Sequence, residues 1–284
     1  MVWPELSWIE RFAPSPTGPL HLGHAFSALT AWDRAVENGG EFLLRIEDID
    51  QSRCRPAWEL QIFADLEWLG VSWSKPVLRQ SKRLKSYRYV TENLWEKGLL
   101  YPCTCTRRDI SEAAQAPQEG VPILGPDGIV YPGTCRTETS GDMPKNTALR
   151  LNMKAAMKGD IFHFEETGLN AGTVEFSANE VLKTIGDIVL TRRDMGTSYH
   201  LSVALDDAFQ GVTHVTRGQD LFEATKIHVI LQKLLGLPTP VYHHHALVRD
   251  EHGKRLAKRD DARAISKYRA EGATPEDIRR MVGL

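Results

Sequence analysis

Short apolar runs alternate with longer amphipathic stretches over the first hundred residues of the chain. Residues 8–12 and 42–46 have the length and the apolar content of strands, and stretches with helical periodicity follow at 21–37, 55–69 and 82–97. Strands that alternate with helices are typical of βαβ units around a parallel sheet. The pattern therefore predicts an α/β fold built on a Rossmann-like, doubly wound parallel sheet.

The regular pattern stops after residue 100. Up to about residue 141 the chain is rich in Pro, Gly, Cys and polar residues without a sustained period, which indicates an insertion. Alternation resumes at 148–153 and 161–165, where we expect small antiparallel strands. These features predict an inserted α+β subdomain.

The last third returns to the α/β pattern. Residues 188–192 and 212–217 are predicted strands of the main sheet, on either side of a helix that contains 199–209. Asp220, with Glu223 three residues later, predicts the N-cap of a helix that ends near Leu235. A strand near 241–248 and two short helices complete the chain. Thr274, followed by Pro275, and Asp277 three residues on predict a capping box at the start of the last helix.

Composition restricts the classes of protein that fit. With 42% hydrophobic residues the chain can bury a large core, while a net charge of −2 gives no general basic field, so any RNA must bind a local patch. Four cysteines are too few for a disulfide framework, and the N-terminus lacks the pattern of a signal peptide. No apolar stretch approaches the ~20 residues of a membrane span. We expect a cytoplasmic protein, and a monomer.

The most informative segment is RFAPSPTGPLHLGH, residues 11–24, between the first predicted strand and the first helix. Doubly wound sheets bind nucleotides there, because the free amides and the dipole of a helix N-terminus attract phosphate. Gly23 allows a base to approach the backbone, and His21 and His24 share one helical face from which they can donate to phosphate oxygens. Two histidines at this spacing alone would be ordinary helix residues; their surroundings favour a phosphate site.

A second segment of interest, KRLAKR, follows the last predicted strand and contains Lys258. A lysine in such a loop can close over the β- and γ-phosphates of ATP and stabilise a departing pyrophosphate. Taken alone, this run of charges would be interpreted as a solvated loop.

Together the two segments resemble the signature pair of the class I aminoacyl-tRNA synthetases, and residues 11–24 resemble the glutamyl branch in particular. The resemblance spans nearly the whole chain and includes LRIEDID at 44–50, GTSYH at 196–200 and VTRGQD at 215–220. Where the glutaminyl branch has Glu and Asn, this chain has Ser15 and Thr17, so glutamate is the expected substrate. Ala257 replaces the usual serine of the second signature, which affects the expected rate and not the type of reaction.

The resemblance implies that ATP, accompanied by Mg²⁺, and L-glutamate bind side by side. Burying a dicarboxylate requires opposite charges with directed hydrogen bonds. Arg11 matches the family position for the side-chain carboxylate, Ser15 can donate nearby, and Glu47 would take the α-ammonium, with Arg45 on the same strand face. Arg45 and Asp50 fit surface ion pairs equally well, and Asp48 and Asp50 are expected to be structural residues. Further glutamate contacts are Ala13, Tyr199 and Arg217; the ATP and catalytic positions are His21, Gly23, His24 and Lys258.

Three of the cysteines lie in the inserted segment, as Cys103-Thr-Cys105 and, farther on, Cys135. Close cysteines in separate loops have the spacing of a structural zinc knuckle, with reduced, metal-free cysteines as the alternative. The family resemblance supplies Tyr131 as the fourth ligand and so implies one structural Zn²⁺ per chain. The histidines at 243–245 are interpreted as strand residues beside the nucleotide site.

The chain continues for only a short stretch beyond Lys258, so we expect no anticodon-binding domain. This pattern resembles the short paralogues of the glutamyl branch. The resemblance implies glutamate activation without tRNA and then transfer of glutamate to the queuosine base in the anticodon of tRNA(Asp). Two alternatives remain: a minimal glutamyl-tRNA synthetase that charges the tRNA 3′ end, and a non-catalytic paralogue that binds adenylate or tRNA.

The expected organisation has four segments. They are 1–100, the first half of the nucleotide-binding catalytic domain; 101–187, the inserted subdomain with its candidate zinc site; 188–240, the second half of the catalytic domain; and 241–284, the signature-loop region with short C-terminal helices.

Overall fold

The computed structural model describes residues 7–114, 123–138, 141–157, 161–248 and 263–284. Within these ranges the strands are β1 (Ile9–Phe12), β2 (Glu41–Ile46), β3 (Ser74–Arg79), β4 (Leu100–Cys103), β5 (Leu124–Gly125), β6 (Gly128–Ile129), β7 (Ala148–Leu151), β8 (Ile161–Glu166), β9 (Gly172–Ser177), β10 (Val189–Thr191), β11 (His214–Gly218) and β12 (Val241–His245). The helices are α1 (Leu22–Glu37), α2 (Pro56–Trp68), α3 (Leu84–Glu96), α4 (Arg107–Ala114), α5 (Met153–Ala156), α6 (Ala178–Thr184), α7 (Tyr199–Phe209), α8 (Phe222–Leu235), α9 (Ile265–Ala270) and α10 (Pro275–Val282). None of these helices is both long and apolar enough to cross a bilayer.

A largely parallel sheet forms the centre of the fold. In one half β1, β2 and β3 pair in parallel, and in the other β11, β12 and β8 do the same, with β9 antiparallel at the edge. Thr213 joins the halves, because its backbone N–H donates to the carbonyl of Ile9 at 3.0 Å. The predicted α/β fold with a parallel sheet is confirmed.

Helix α1 packs against this sheet through small side chains. Ala25, Ala28 and Leu29 recur at helical spacing on its apolar face and are fully buried. Alanines allow the helix axis to approach the strands closely. The helix then ends at Glu37, where the sequence predicts its end, and Gly39 supplies the positive φ that turns the chain towards β2.

Three features of the sheet differ from the sequence-based expectations. The strand β3 was not predicted, because its short apolar content is interrupted by Pro76 and two of its positions are exposed. The predicted placement of residues 188–192 in the main sheet is wrong: β10 pairs antiparallel with β7, which in turn pairs with β4. The β8–β9 hairpin is antiparallel as expected, yet β8 extends the main sheet through β12.

Of the two predictions about helix N-termini, one is wrong and one is confirmed. Asp220 is not the N-cap of α8. A 3₁₀ turn at Gln219–Leu221 precedes this helix, so that its N-cap is Leu221, whose side chain makes no capping hydrogen bond. In contrast, Thr274 and Asp277 form the predicted capping box of α10. That helix packs on α1, where Arg279 holds Asp33 through two hydrogen bonds of 2.7 and 2.8 Å.

Candidate active site

A cavity of about 730 Å³ opens where β1, β2, β11 and β12 end. The strands β1 and β11 belong to different halves of the sheet, and the C-terminal residues of both line the cavity, which is where open α/β sheets bind their ligands. The cavity is lined by nine of the residues predicted from the sequence: Arg11, Ala13, Ser15, His21, Gly23, His24, Glu47, Tyr199 and Arg217. Lys258, the remaining predicted catalytic residue, and Ala257 lie outside the described residues.

His21 and His24 form a capping box at the start of α1. The Nδ1 atom of His21 accepts a hydrogen bond from the backbone N–H of Gly23 at 3.1 Å, and Nδ1 of His24 accepts from the backbone N–H of His21 at 3.2 Å. An accepting Nδ1 carries no proton, so in both neutral rings the proton is on Nε2. The rings lie 3.8 Å apart at the cavity wall. The helix cap thus fixes a pair of N–H donors suited to phosphate oxygens.

Arg11 enters the cavity from the end of β1 but is already paired. Its Nε donates to Oδ1 of Asp207 at 3.0 Å, and Asp207 also accepts from Arg45 at 2.6 Å. Arg45 in turn donates to Glu47 at 3.3 Å, as expected for two residues on one strand face. These four buried side chains form a linear chain of alternating charge.

The pKa values of the two carboxylates among these four side chains, Asp207 and Glu47, shift in opposite directions. Burial would raise the pKa of Asp207, but the guanidinium groups of Arg11 and Arg45 hold it below its usual range. For Glu47 burial prevails over Arg45 and Arg11, and its pKa is raised. Glu47 is therefore the carboxylate that would gain most from an arriving cation such as an ammonium group.

Arg217 enters the cavity from β11. Within the described part of the chain its guanidinium donates to three uncharged acceptors, His244, His228 and Thr225. Tyr199, at the start of α7, lies beside the ring of His228, with 5.6 Å between ring centroids. Burial raises the pKa of Tyr199, which keeps its hydroxyl available as a neutral hydrogen-bonding group.

The sequence did not identify every residue of the site. Asp207 and its contacts were missed, because a carboxylate within an apolar helix has no motif that links it to a strand far away in the sequence. The surface alternative for Arg45 is wrong, since its side chain is fully buried. Asp50 does form a surface pair with Arg53, and Asp48 accepts two hydrogen bonds from Ser81, as expected for a structural residue. His245 was expected beside the site, and it lines the cavity and contacts Ser27 at 2.8 Å.

A second group of residues lies in the inserted segment. The sulfur atoms of Cys103, Cys105 and Cys135 are all within 4.8 Å of one another. The hydroxyl of Tyr131 lies 3.5 Å from Sγ of Cys103 and 3.4 Å from Sγ of Cys105. One zinc ion, about 2.3 Å from each sulfur, spans such a group, and three sulfurs with one phenol oxygen supply four donors. The residues present fit a structural zinc site.

Two features favour the anionic forms of Cys135 and Cys103, whereas burial raises the pKa of the Cys105 thiol to about 11. The hydrogen bond from Tyr131 lowers the pKa of the Cys135 thiol to about 6. Arg150 donates to Sγ of Cys103 at 3.3 Å and stacks 3.8 Å above the Tyr131 ring. Thiolates are the form that binds zinc, and a nearby guanidinium offsets the negative charge that they accumulate.

Residues 9–284 match the family described as tRNA synthetases class I (E and Q), catalytic domain. A glutamyl-Q tRNA(Asp) synthetase from Rhodobacter capsulatus is 64% identical over 280 residues, covering 97% of this chain and 100% of the relative. A second protein of that name, from Nocardia farcinica, is 40% identical and aligns with 97% of this chain and 83% of its own length.

Among solved structures, a glutamate-tRNA synthetase from Elizabethkingia anophelis superposes with a TM-score of 0.78 at 28% identity. The superposition covers 98% of this chain but 61% of that synthetase, so the chain spans less than two thirds of its length.

Proposed function

This chain belongs to the family of class I tRNA synthetases for Glu and Gln, and from that premise we propose that it activates glutamate with ATP and transfers it to queuosine in the anticodon of tRNA(Asp). The observation that carries the proposal is the 64% identity to a glutamyl-Q tRNA(Asp) synthetase over the full length of that relative. The cavity adds an independent physical argument for glutamate.

The charges around the cavity complement glutamate. Arg11 is balanced by Asp207 and Arg45 by Glu47, whereas Arg217 has uncharged hydrogen-bond partners. These five side chains therefore carry one net positive charge. Glutamate, with two carboxylates and one ammonium group, carries one net negative charge, whereas glutamine carries none. Electrostatic complementarity of this kind favours glutamate.

Adenylate formation needs positioning and no covalent enzyme intermediate. An oxygen of the glutamate α-carboxylate attacks the α-phosphorus of ATP, and the bond to the bridging oxygen of pyrophosphate breaks. The Nε2–H groups of His21 and His24 donate to oxygens whose charge grows in the transition state. Mg²⁺ bound to ATP offsets phosphate charge, and Lys258 is proposed to hold the leaving pyrophosphate. A hydroxyl of the acceptor then attacks the carbonyl and releases AMP.

The candidate zinc site is proposed to have a structural role. Cys103, Cys105, Tyr131 and Cys135 would hold one Zn²⁺, and Arg150 would offset its ligands' negative charge. Such a site stabilises a segment that is rich in Gly and Pro.

The likeness to the Elizabethkingia synthetase supports a second candidate function, the charging of a tRNA 3′ end.

The decisive experiment measures glutamate-dependent ATP–pyrophosphate exchange without RNA, and then offers labelled glutamate with queuosine-containing tRNA(Asp), queuosine-free tRNA(Asp) and tRNA(Glu). We expect exchange without RNA and label only on the first tRNA. Periodate oxidation of the queuosine diol should abolish transfer. Label on the terminal adenosine of tRNA(Glu) would establish the second function instead, and the absence of exchange and of transfer would favour a non-catalytic protein.

A further inference from the structure

The guanidinium of Arg217 is held by three acceptors, and none of them is a carboxylate. Nε donates to Nε2 of His244 at 3.2 Å, Nη1 to Nδ1 of His228 at 3.1 Å, and Nη2 to Oγ1 of Thr225 at 2.6 Å. The contrast with Arg11 is clear, because Arg11 is paired with the carboxylate of Asp207. Neutral acceptors fix the direction of a guanidinium without cancelling its charge.

His244 can accept from Arg217 only in one tautomer. Its Nδ1 lies 2.5 Å from Oε2 of Glu166, and both side chains are fully buried. Burial lowers the pKa of His244, whereas hydrogen bonds from His244 and Gly168 hold the pKa of Glu166 below its usual range despite burial. A neutral ring beside a carboxylate places its proton on Nδ1. Nε2 is then left as the acceptor that Arg217 requires.

Backbone contacts fix the orientation of Glu166. Its Oε1 accepts from the backbone N–H of His244 at 2.9 Å and from that of Gly168 at 2.6 Å, so Oε2 is the oxygen that faces the His244 ring. Gly168 is required for this arrangement, since a Cβ there would lie 2.2 Å from the carbonyl oxygen of His244. The two carboxylate oxygens therefore have separate and fixed partners.

We propose that Glu166 is a positioning residue that sets the selectivity of the cavity for a substrate carboxylate, by holding His244 in the tautomer that orients Arg217. This inference rests on the proposed function, which makes Arg217 a glutamate contact. Glu166 itself does not line the cavity. It acts through His244 and leaves the charge of Arg217 available to the substrate.

The geometry makes Glu166→Gln a specific test. The two backbone N–H donors at Oε1 require an acceptor, so the glutamine oxygen takes that place and its NH₂ group faces Nδ1 of His244. The ring then shifts its proton to Nε2, where an N–H opposes the N–H of Arg217. The matched control is Glu165→Gln, one residue earlier on the exposed face of β8, where Glu165 accepts from Thr173.

We expect Glu166→Gln to raise the KM for glutamate roughly 10- to 100-fold in ATP–pyrophosphate exchange, as for loss of a hydrogen bond to a charged group. The KM for ATP should stay within about twofold. Glu165→Gln should behave as wild type. An unchanged glutamate KM would overturn the proposal. Equal losses for glutamate and ATP with a lowered Tm would overturn it too, because they indicate a purely structural role.

A second measurement does not depend on activity. In wild-type protein labelled with ¹⁵N-histidine, the ring of His244, assigned by comparison with His244→Gln, should show its proton on Nδ1, and in Glu166→Gln on Nε2. A proton on Nε2 in the wild-type protein would overturn the inference. If the wild-type protein shows no glutamate-dependent exchange, the proposed function fails, while these spectra still decide whether Glu166 sets the tautomer.

Discussion

Arg11 and Asp207 form a buried ion pair in which Nε of the arginine lies 3.0 Å from Oδ1 of the aspartate. The same carboxylate accepts from Arg45 at 2.6 Å, so one aspartate of α7 contacts two arginines that come from β1 and β2. This pairing ties the candidate glutamate contact Arg11 to the interior of the protein.

The first prediction concerns this aspartate. Asp207→Asn removes the charge that balances Arg11 and Arg45, and leaving a buried charge without its partner typically costs about 3–5 kcal/mol. We expect a decrease of that size in the free energy of unfolding, measured by urea denaturation. Asp194→Asn is the matched control, because Asp194 is exposed and pairs with exposed Arg192; its effect should be within about 0.5 kcal/mol. A cost below about 1 kcal/mol for Asp207→Asn would contradict the prediction.

The second prediction separates the two roles of His21. Asparagine is a good N-cap, so His21→Asn should preserve the stability of α1 while removing the imidazole Nε2–H donor. We expect the exchange rate to fall about 10²- to 10³-fold, as for loss of a transition-state donor, with little change in Tm. His21→Ala should lose a similar amount of activity and in addition about 1 kcal/mol of stability. Retention of activity by His21→Asn would exclude the ring as a donor.

The third prediction is one zinc ion per chain, measured by elemental analysis of protein purified without chelators. Cys105→Ser should lose the metal, because a thiolate of the cluster is replaced by a poorer ligand. Tyr131→Phe should bind zinc more weakly and release it faster to a chromogenic chelator. Cys54→Ser is the control, since Cys54 is not among the clustered sulfurs. Wild-type protein without zinc would refute the assignment.

The fourth prediction concerns acid stability. Burial, assisted by Arg34, lowers the pKa of His214 to about 4, whereas an unfolded histidine titrates near about 6.5. As the pH falls between these values the unfolded chain takes up a proton that the folded protein does not, so stability decreases. In His214→Gln the slope of unfolding free energy against pH should be shallower by about one proton in this window.

The control for this pH dependence is His163→Gln. His163 lies on the exposed face of β8, so its ring is in solvent before and after unfolding. The control should therefore keep the wild-type slope. If His214→Gln also keeps it, His214 does not cause the loss of stability in acid.

The sequence predicted those helices and strands whose apolar residues recur with a regular period within the element itself. Helix α1 begins after His21 and ends at Glu37 because its alanine-rich face and its glycines are contiguous in the sequence. The pairing of β10 with β7 could not be predicted in this way, because the pattern of a three-residue strand does not indicate which strand it pairs with. The strand β3 was missed for a related reason, since half-exposed edge strands have weak alternation.

The residues of the candidate site were predicted or missed for the same reason. Residues within the signature motifs, such as His21 and Glu47, were found because the motif itself brings them together. The contacts made by Asp207 and Glu166 were not, because each depends on residues far away in the sequence, Arg11 and His244 respectively. The capping role of His21 was also missed, since histidine is an uncommon N-cap and the sequence favours a purely chemical role.

The strand pair β4–β7 has a further consequence for protein engineering. Cys103 and Ala148 are opposite each other at the open end of this antiparallel pair, so residues 104–147 leave the sheet and return to it at neighbouring points. Topologically, this portion of the chain is one long hairpin loop. A two-residue turn such as Asn-Gly can close an antiparallel pair of this kind. Exchanging the segment for such a turn would leave the strands that end at the cavity with their connections intact, and would remove Cys105, Tyr131 and Cys135 together with the ion pair of Arg136 and Asp187.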